Sequence, residues 1–583
     1  MTRLFYWLKR MIEQSTGFVT HPLRRWLLIG LFSVAGLLLL WRAFYLQILN
    51  KDFLRSYGDA RSVRTVTIPA HRGMIVDRNG EPLAISTPID SVWATPKKAL
   101  ADEARLPKLA RLLEMDVNSL RQMLTDRIGR EFVYLKRHVE PGVADAVDAL
   151  ALPGVYLQRE YKRYYPAGEV GAHLIGFTNI DDSGQEGIEL AYDNWLRGVP
   201  GEKRVLKDRL GRVVQDIESI QPASPGNTLN LSIDLRVQYL AYRELKSAVL
   251  FHRARGGSLV ILDAKTGEVI ALAVQPSYNP NNRSGLKSDN YRNRVVTDVF
   301  EPGSTIKPFT IAAALLSGRY TTQSEVDTSP GYFKVADHTI RDDSNYGTID
   351  LATIIRKSSN VGASKIALSL GPKPLWELYS RLGFGQVTAS GLPGEAAGVL
   401  NYPQSWSEME LATIAFGYGL SVNALQLARA YTVIANDGVM RPVSLQKVES
   451  IPDGIRILPV QTARQLRAML ESVTETGGTG RKAAVPGYHV AGKTGTVHKV
   501  TVGGYAEDRY MSLFAGIAPS RDPELVMVVV IDEPLGDKYY GGQVAAPVFS
   551  RVMQGALRIL NIPPDDLPSF ANKILMADTG RDR

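Results

Sequence analysis

The sequence predicts an α/β protein: a sandwich of helices around a sheet, preceded by an irregular α+β module and one transmembrane helix. Three observations lead there. A charge-free apolar run opens the chain from Trp26 to Trp41. A Pro/Gly/Ser stretch, QPASPGN at 221–227, divides the remainder of the chain. Beyond it, helical patterns over 305–440 are framed by strand patterns at both ends, so the sheet must assemble from distant parts of the chain. The expected boundaries are 1–25 for a cytoplasmic tail, 26–49 for the anchor, 50–225 for the irregular module, 226–560 for the sandwich and 561–583 for a polar tail.

The anchor comes first. Arg42 interrupts the apolar run and 43–49 resume it. About 20 helical residues cross a ~30 Å hydrocarbon core, so 26–49 suffices if Arg42 snorkels. Trp26, Trp41 and Tyr45 suit the interfacial belts, while Arg3, Lys9, Arg10, Arg24 and Arg25 put the N-terminus in the cytoplasm. A cleaved signal peptide needs small residues where this chain has RAFYLQIL. A buried core helix seldom follows a basic tail. The rest of the chain is expected outside the cytoplasm.

The 583 residues are 45% hydrophobic and 22% charged, which permits several ordinary globular cores. A net charge of +9 without basic–aromatic interleaving argues against nucleic acid as a partner. The absence of cysteine excludes thiol catalysis and zinc ribbons, and the eight histidines show no metal-binding spacing, so neither metal nor cofactor is expected.

Within 50–225, Asn79-Gly80 reads as a hairpin turn between MIV and PLAI, and 184–201 as a short helix among glycines. After the divide, TLNLSI alternates as a strand, Leu235–Leu250 is an amphipathic helix, and 258–274 is an apolar hairpin. Residues 510–534 return to strands. The tail beyond 560 reads as loosely ordered.

Chemistry concentrates in three motifs. Ser304 follows the Pro302-Gly303 turn at a helix start, where free N–H groups favour negative charge. Lys307 lies three residues on, on the same face, as the base a serine hydroxyl needs. Two other S-x-x-K matches, Ser284/Lys287 and Ser444/Lys447, lead no such helix and read as solvated pairs. Ser358-Ser359-Asn360 interrupts two helical patterns: it is a capping turn, or a hydroxyl and an amide projected into a cleft. Lys493-Thr494-Gly495-Thr496 ends an apolar stretch, where an edge strand would bind a carboxylate. A second Lys-Thr-Gly at 265–267 is a hairpin tip. Residues 487–494 also match a phosphate loop literally, but no helix pattern succeeds Lys493.

Taken in order, Ser304-x-x-Lys307, Ser358-x-Asn360 and Lys493-Thr494-Gly495 resemble the signature of the penicillin-recognising serine acyltransferases. GSLVILDAKTGEVIALAVQPSYNPN (257–281) and FEPGSTIKP resemble the transpeptidase domain of class B penicillin-binding proteins. HRGMIVDRNGEPLA and RYYPAGEVGAHLIGFTN resemble that class's pedestal, and 415–438 with 539–549 are most similar to the division-specific FtsI type. The resemblance spans roughly 50–560.

It implies the serine β-lactamase-like fold and a peptidoglycan D,D-transpeptidase of the division septum. Ser304 would attack the penultimate D-Ala of a stem pentapeptide, with Lys307 as neutral base and Ser358 relaying a proton. Asn360 would hold the substrate amide, and Lys493, Thr494 and Thr496 the terminal carboxylate, with Gly495 leaving room for the substrate backbone. The N–H groups of Ser304 and Thr496 would form the oxyanion hole, and β-lactams would acylate Ser304. The implied partners are stem peptides ending in D-Ala-D-Ala, an FtsW-type polymerase, other divisome proteins and the inner membrane, with the catalytic part periplasmic. Residues 50–225 carry no match to a glycosyltransferase. The rival readings are an elongation-type class B transpeptidase, a non-catalytic β-lactam-binding scaffold or sensor, and a β-lactamase.

Overall fold

A computed structural model describes residues 22–54, 63–207, 213–285, 287–501 and 504–566. Residues 1–21 of the expected 1–25 tail and most of the polar C-terminus lie outside the described residues. The first helix, α1 (Pro22–Phe44), runs unbroken through Arg42 and continues as a wider turn over Tyr45–Leu49. Leu23–Leu49 is long and apolar enough to cross a membrane, with a mean hydropathy of 2.1, and none of it is buried against protein.

The next module contains strands β1 (Val63–Ile68), β2 (Ile75–Val76), β3 (Pro82–Ala94), β4 (Val133–Val139), β5 (Val155–Tyr164), β6 (Gly201–Lys207) and β7 (Val213–Gln221). Asn79-Gly80 turns between β2 and β3 as expected, with Asp77 accepting from Asn79 N and Glu81 N. Strand β3 joins two cores. Its Val92 and Ala94 pack with Leu106, Leu109, Leu120, Leu135 and Val147 in a separate small core. Its Leu83 and Ala84 instead belong to the main core shared with the sandwich.

The stretch 221–227, expected to be a linker, is embedded. Gly226 N donates to His71 O at 2.8 Å, and a Cβ on Gly226 would lie 1.8 Å from Leu196 O. The chain then pairs in parallel with β2, and Leu235 N donates to Asp77 Oδ2. Of TLNLSI only β8 (Leu229–Asn230) is strand, because its partner β2 is itself two residues long. Under this junction Glu189, fully buried, joins Arg72 at 2.7 Å and Arg163 at 2.6 Å, and Arg72 also reaches Asp193.

Beyond it lie α2 (Leu235–Phe251), β9 (Gly256–Asp263), β10 (Val269–Gln275), α3 (Lys307–Leu316), α4 (Leu351–Lys357), α5 (Asn360–Leu370), α6 (Ala424–Ala435) and α7 (Val460–Thr474). The chain closes with β11 (Ala491–Thr501), β12 (Gly504–Ala518), β13 (Leu525–Asp532) and α8 (Ala546–Ile559). The five strands order as β10-β9-β13-β12-β11, all antiparallel. Alternation sorts each strand between two faces. Leu259, Ile261, Met527 and Val529 pack against α2 and α8; Val260, Leu262, Val526 and Val528 pack towards α3, α6 and α7. Covering both faces explains why these strands read as continuous apolar runs. Strand β11 is the sheet's edge and carries Lys493.

The start of the expected loose tail is held. Asp565 accepts from His489 N at 2.7 Å, and Asp566 N donates to Gly487 O, bracing the chain just before β11.

Candidate active site

Ser304 sits in a tight 3-10 turn, Gly303–Ile306, which runs directly into α3. Gly303 has a φ of +52°, and a Cβ there would lie 2.5 Å from Val497 Cγ2, so the turn reaches β11 only because the residue is glycine. Gly303 N donates to Gly417 O, and Tyr431 OH donates to Thr305 O at 2.8 Å. Ser304 itself is half-buried, and its hydroxyl makes no hydrogen bond among the described residues. Pro308 is tolerated because it occupies the first turn of α3, where its missing N–H has no helical partner.

Ser358 ends α4 in the left-handed region, with φ +63°, and Ser359 caps α5 by accepting from Gly362 N. The motif is therefore a capping turn that also carries the Ser358 hydroxyl to Lys307 and Lys493. Ser358 in that conformation presents both its hydroxyl and its carbonyl to a buried lysine. Lys307 is completely buried, and its Nζ donates to Ser358 O at 2.5 Å, Asn360 Oδ1 at 2.7 Å and Ser358 Oγ at 3.1 Å. Lys493, equally buried, reaches the same Ser358 Oγ at 3.0 Å and Thr494 O at 3.1 Å. Asn360, expected to hold substrate, spends both ends of its amide inside the protein, since Nδ2 also donates to Arg341 O.

Burial pushes both ammonium groups down, and removing two charges from water is its dominant effect. Lys307 is lowered to about 7, with Asp342 and Asp343 opposing the fall. Lys493 is lowered well below the ordinary lysine value, by burial first and then by the charge of Lys307. Holding both amines charged at once is therefore unfavourable.

Thr496 Oγ1 accepts from Gly541 N at 2.9 Å, which leaves its own proton for a ligand. Thr494 Oγ1 lies 3.0 Å from Thr479 Oγ1. The cleft wall beside Thr496 is aromatic: Tyr539 stacks on Tyr510 at 4.1 Å and on Tyr540 at 4.5 Å.

The decoys are placed elsewhere in the chain's bonding. Ser284 Oγ donates to Asn282, Ser444 Oγ to Gln446 O, and Lys447 Nζ to Arg78 O. Lys265 pairs with Glu524 and Asp522 at its hairpin. Lys493 lies inside an eleven-residue strand rather than before a helix, so the phosphate-loop match has no structural counterpart. No cluster of metal-ligating side chains occurs among the described residues.

Sequence reasoning missed Asp342. Its carboxylate accepts from Ser359 Oγ at 2.5 Å, Asn360 N at 2.5 Å and Val361 N at 3.0 Å. It anchors the Ser358–Asn360 turn from a two-stranded hairpin (Tyr332–Val335 with His338–Arg341). No local pattern marks it, because its partners lie 17 to 19 residues away.

Two buried lysines sharing the hydroxyl of Ser358, beside the half-buried Ser304 and at the edge of a five-stranded antiparallel sheet covered by helices on both faces, define the class of penicillin-recognising serine acyltransferases. Residues 257–554 match the penicillin binding protein transpeptidase domain, and residues 67–231 the penicillin-binding protein dimerisation domain. The chain is 46% identical over 560 residues to the peptidoglycan D,D-transpeptidase FtsI of Escherichia coli K12, covering 95% of this chain and 94% of that one. It is 44% identical over 550 residues to the probable peptidoglycan D,D-transpeptidase PbpC of Pseudomonas aeruginosa, covering 94% and 97%. The transpeptidase domain of Burkholderia pseudomallei penicillin-binding protein 3 superposes with a TM-score of 0.54 at 44% identity, covering 58% of this chain and 98% of that one. The chain belongs to the penicillin-binding protein family, among the FtsI-type peptidoglycan D,D-transpeptidases.

Proposed function

We propose that this enzyme crosslinks peptidoglycan stem peptides at the division septum through an acyl-enzyme on Ser304. The observation that carries the proposal is the single hydroxyl of Ser358 held between two buried lysines, beside the turn that bears Ser304.

Those contacts suggest an order of events. The terminal carboxylate of a donor stem meets Lys493, Thr494 and Thr496. Its negative charge stabilises a proton on Lys493, and two neighbouring charges cannot both be held, so Lys307 becomes the neutral partner. Lys307 takes the Ser304 proton as Oγ attacks the penultimate D-Ala carbonyl, with the N–H groups of Ser304 and Thr496 facing the developing oxyanion. Ser358, bonded to both amines, carries the proton to the departing D-Ala. An amine from a second stem then resolves the ester. A β-lactam enters by the same route and remains on Ser304.

The apolar helix Leu23–Leu49 supports a single-pass inner-membrane protein, its basic N-terminus cytoplasmic and its catalytic part periplasmic. On this reading the units are 1–25, 26–49, 50–225, 226–560 and 561–583, and glycan polymerisation comes from an FtsW-type partner beside other divisome proteins. Depletion in the source organism tests the septal role. Filaments with unconstricted walls are expected, whereas round cells with normal septa would assign the enzyme to elongation.

A further inference from the structure

Glu301 lies three residues before Ser304, in the arm that enters the nucleophile turn. Its Oε1 accepts from Gly419 N at 2.8 Å and from Tyr505 OH at 3.0 Å. Its Oε2 is buried and has no hydrogen-bond partner among the described residues, and no cation among them is paired with it. Burial raises its carboxyl above the ordinary range. The rings of Tyr418 and Tyr505 meet edge to face at 5.5 Å beside it. Tyr418 also contacts the backbone of His498, two residues past Thr496 on β11. The carboxylate therefore lies at the His498 end of the catalytic strand, away from Lys493.

The lysines of the donor site repel a second cation, yet the amine that resolves the ester arrives at neutral pH as an ammonium. It needs a carboxylate that is not already spent. Asp342 is occupied by Ser359, Asn360 and Val361, and Asp343 is exposed to water. A carboxylate flanked by tyrosine rings is the chemistry that holds an ammonium.

We propose that Glu301, framed by Tyr418 and Tyr505, is the subsite for the primary ammonium of the acyl acceptor. This rests on the acyl-enzyme reading above. The ammonium passes one proton to the Glu301 carboxylate, and the freed lone pair forms a C–N bond to the ester carbonyl. The bond from that carbon to Ser304 Oγ breaks, and Oγ takes the second amine proton through Lys307. Glu301 then releases its proton to solvent.

The test uses the full chain in detergent with a thioester acyl donor and D-alanine as the amine acceptor, measuring aminolysis against hydrolysis. In Glu301→Gln the D-alanine concentration for half-maximal aminolysis should rise about tenfold or more, the scale of a lost charge-assisted hydrogen bond. Acylation of Ser304 by a penicillin, which also reports folding, should fall much less. Glu301→Asp should lie between, and Glu507→Gln, at an exposed carboxylate on β12, should leave acceptor dependence close to native. An unaltered acceptor dependence in Glu301→Gln overturns the proposal. So does a parallel loss of acylation and aminolysis, which would make Glu301 a brace for the turn, or a larger effect in Glu507→Gln. Failure of the native chain to form any adduct on Ser304 would instead sink the acyl-enzyme reading itself.

Discussion

Lys307 and Lys493 hydrogen-bond one and the same hydroxyl, Ser358 Oγ, at 3.1 and 3.0 Å, with both amines fully buried. Two ammonium groups so placed repel each other and lack water, so protonation of this pair should govern the chemistry.

Acylation should therefore depend on pH. Lys307 is lowered to about 7 by burial, so its neutral form, the base in the proposed mechanism, becomes dominant as pH rises through that region. Acylation by a chromogenic cephalosporin should climb between about pH 6 and 8 and then level. Asp342→Asn keeps an oxygen acceptor for Asn360 N and Val361 N but removes a charge that favours the ammonium. Its rising limb should move to lower pH by about half a pH unit or more. Stopped-flow rates across the range check both statements, and a flat profile would contradict them.

Removing the shared hydroxyl should be costly for rate and cheap for stability. Ser358→Ala should slow acylation by about 10²–10³-fold, within the usual range for a lost proton-transfer group. The thermal midpoint should stay within a few degrees of native. Ser284→Ala, whose hydroxyl only meets Asn282, provides the comparison.

Close packing behind Gly495 and Thr496 gives a steric prediction. A Cβ on Gly541 would lie 2.2 Å from Gly495 O and 2.3 Å from Leu513 O. Gly541→Ala should displace β11, lower stability by about 1–3 kcal/mol and reduce β-lactam labelling. Gly536, with nothing within 4 Å of the same added atom, should accept alanine within about 0.5 kcal/mol. Denaturant melts and labelling rates of the two variants decide it.

At the junction below the sandwich, Glu189 holds Arg72 and Arg163 together out of solvent. Glu189→Gln leaves both guanidinium groups buried without that countercharge. A loss of about 3–5 kcal/mol is expected, read as a lower denaturant midpoint. An unchanged midpoint would mean that water reaches this cluster.

Legibility in the sequence tracks the range of the interactions. The apolar strands at 258–274 and 510–534, the helix from Leu235 and the Asn79-Gly80 turn are readable because each is set by neighbours along the chain. The candidate residues Ser304, Lys307, Ser358 and Lys493 are readable because they fall in short motifs. What escapes is non-local. Asp342 and Glu301 matter through partners on other elements, and Pro-Gly composition at 221–227 conceals a segment packed beside His71 and Trp195. Burial of Lys307, which sets its proton affinity, comes from helices and strands converging from across 300–500 and leaves no local trace.

The most direct measurement is covalent labelling with a fluorescent penicillin, then intact-mass and peptide mapping of the native chain, Ser304→Ala and Ser284→Ala. One adduct per chain is expected on the Ser304 peptide, retained in Ser284→Ala and absent from Ser304→Ala. Label that survives in Ser304→Ala, or maps to another serine, would contradict it.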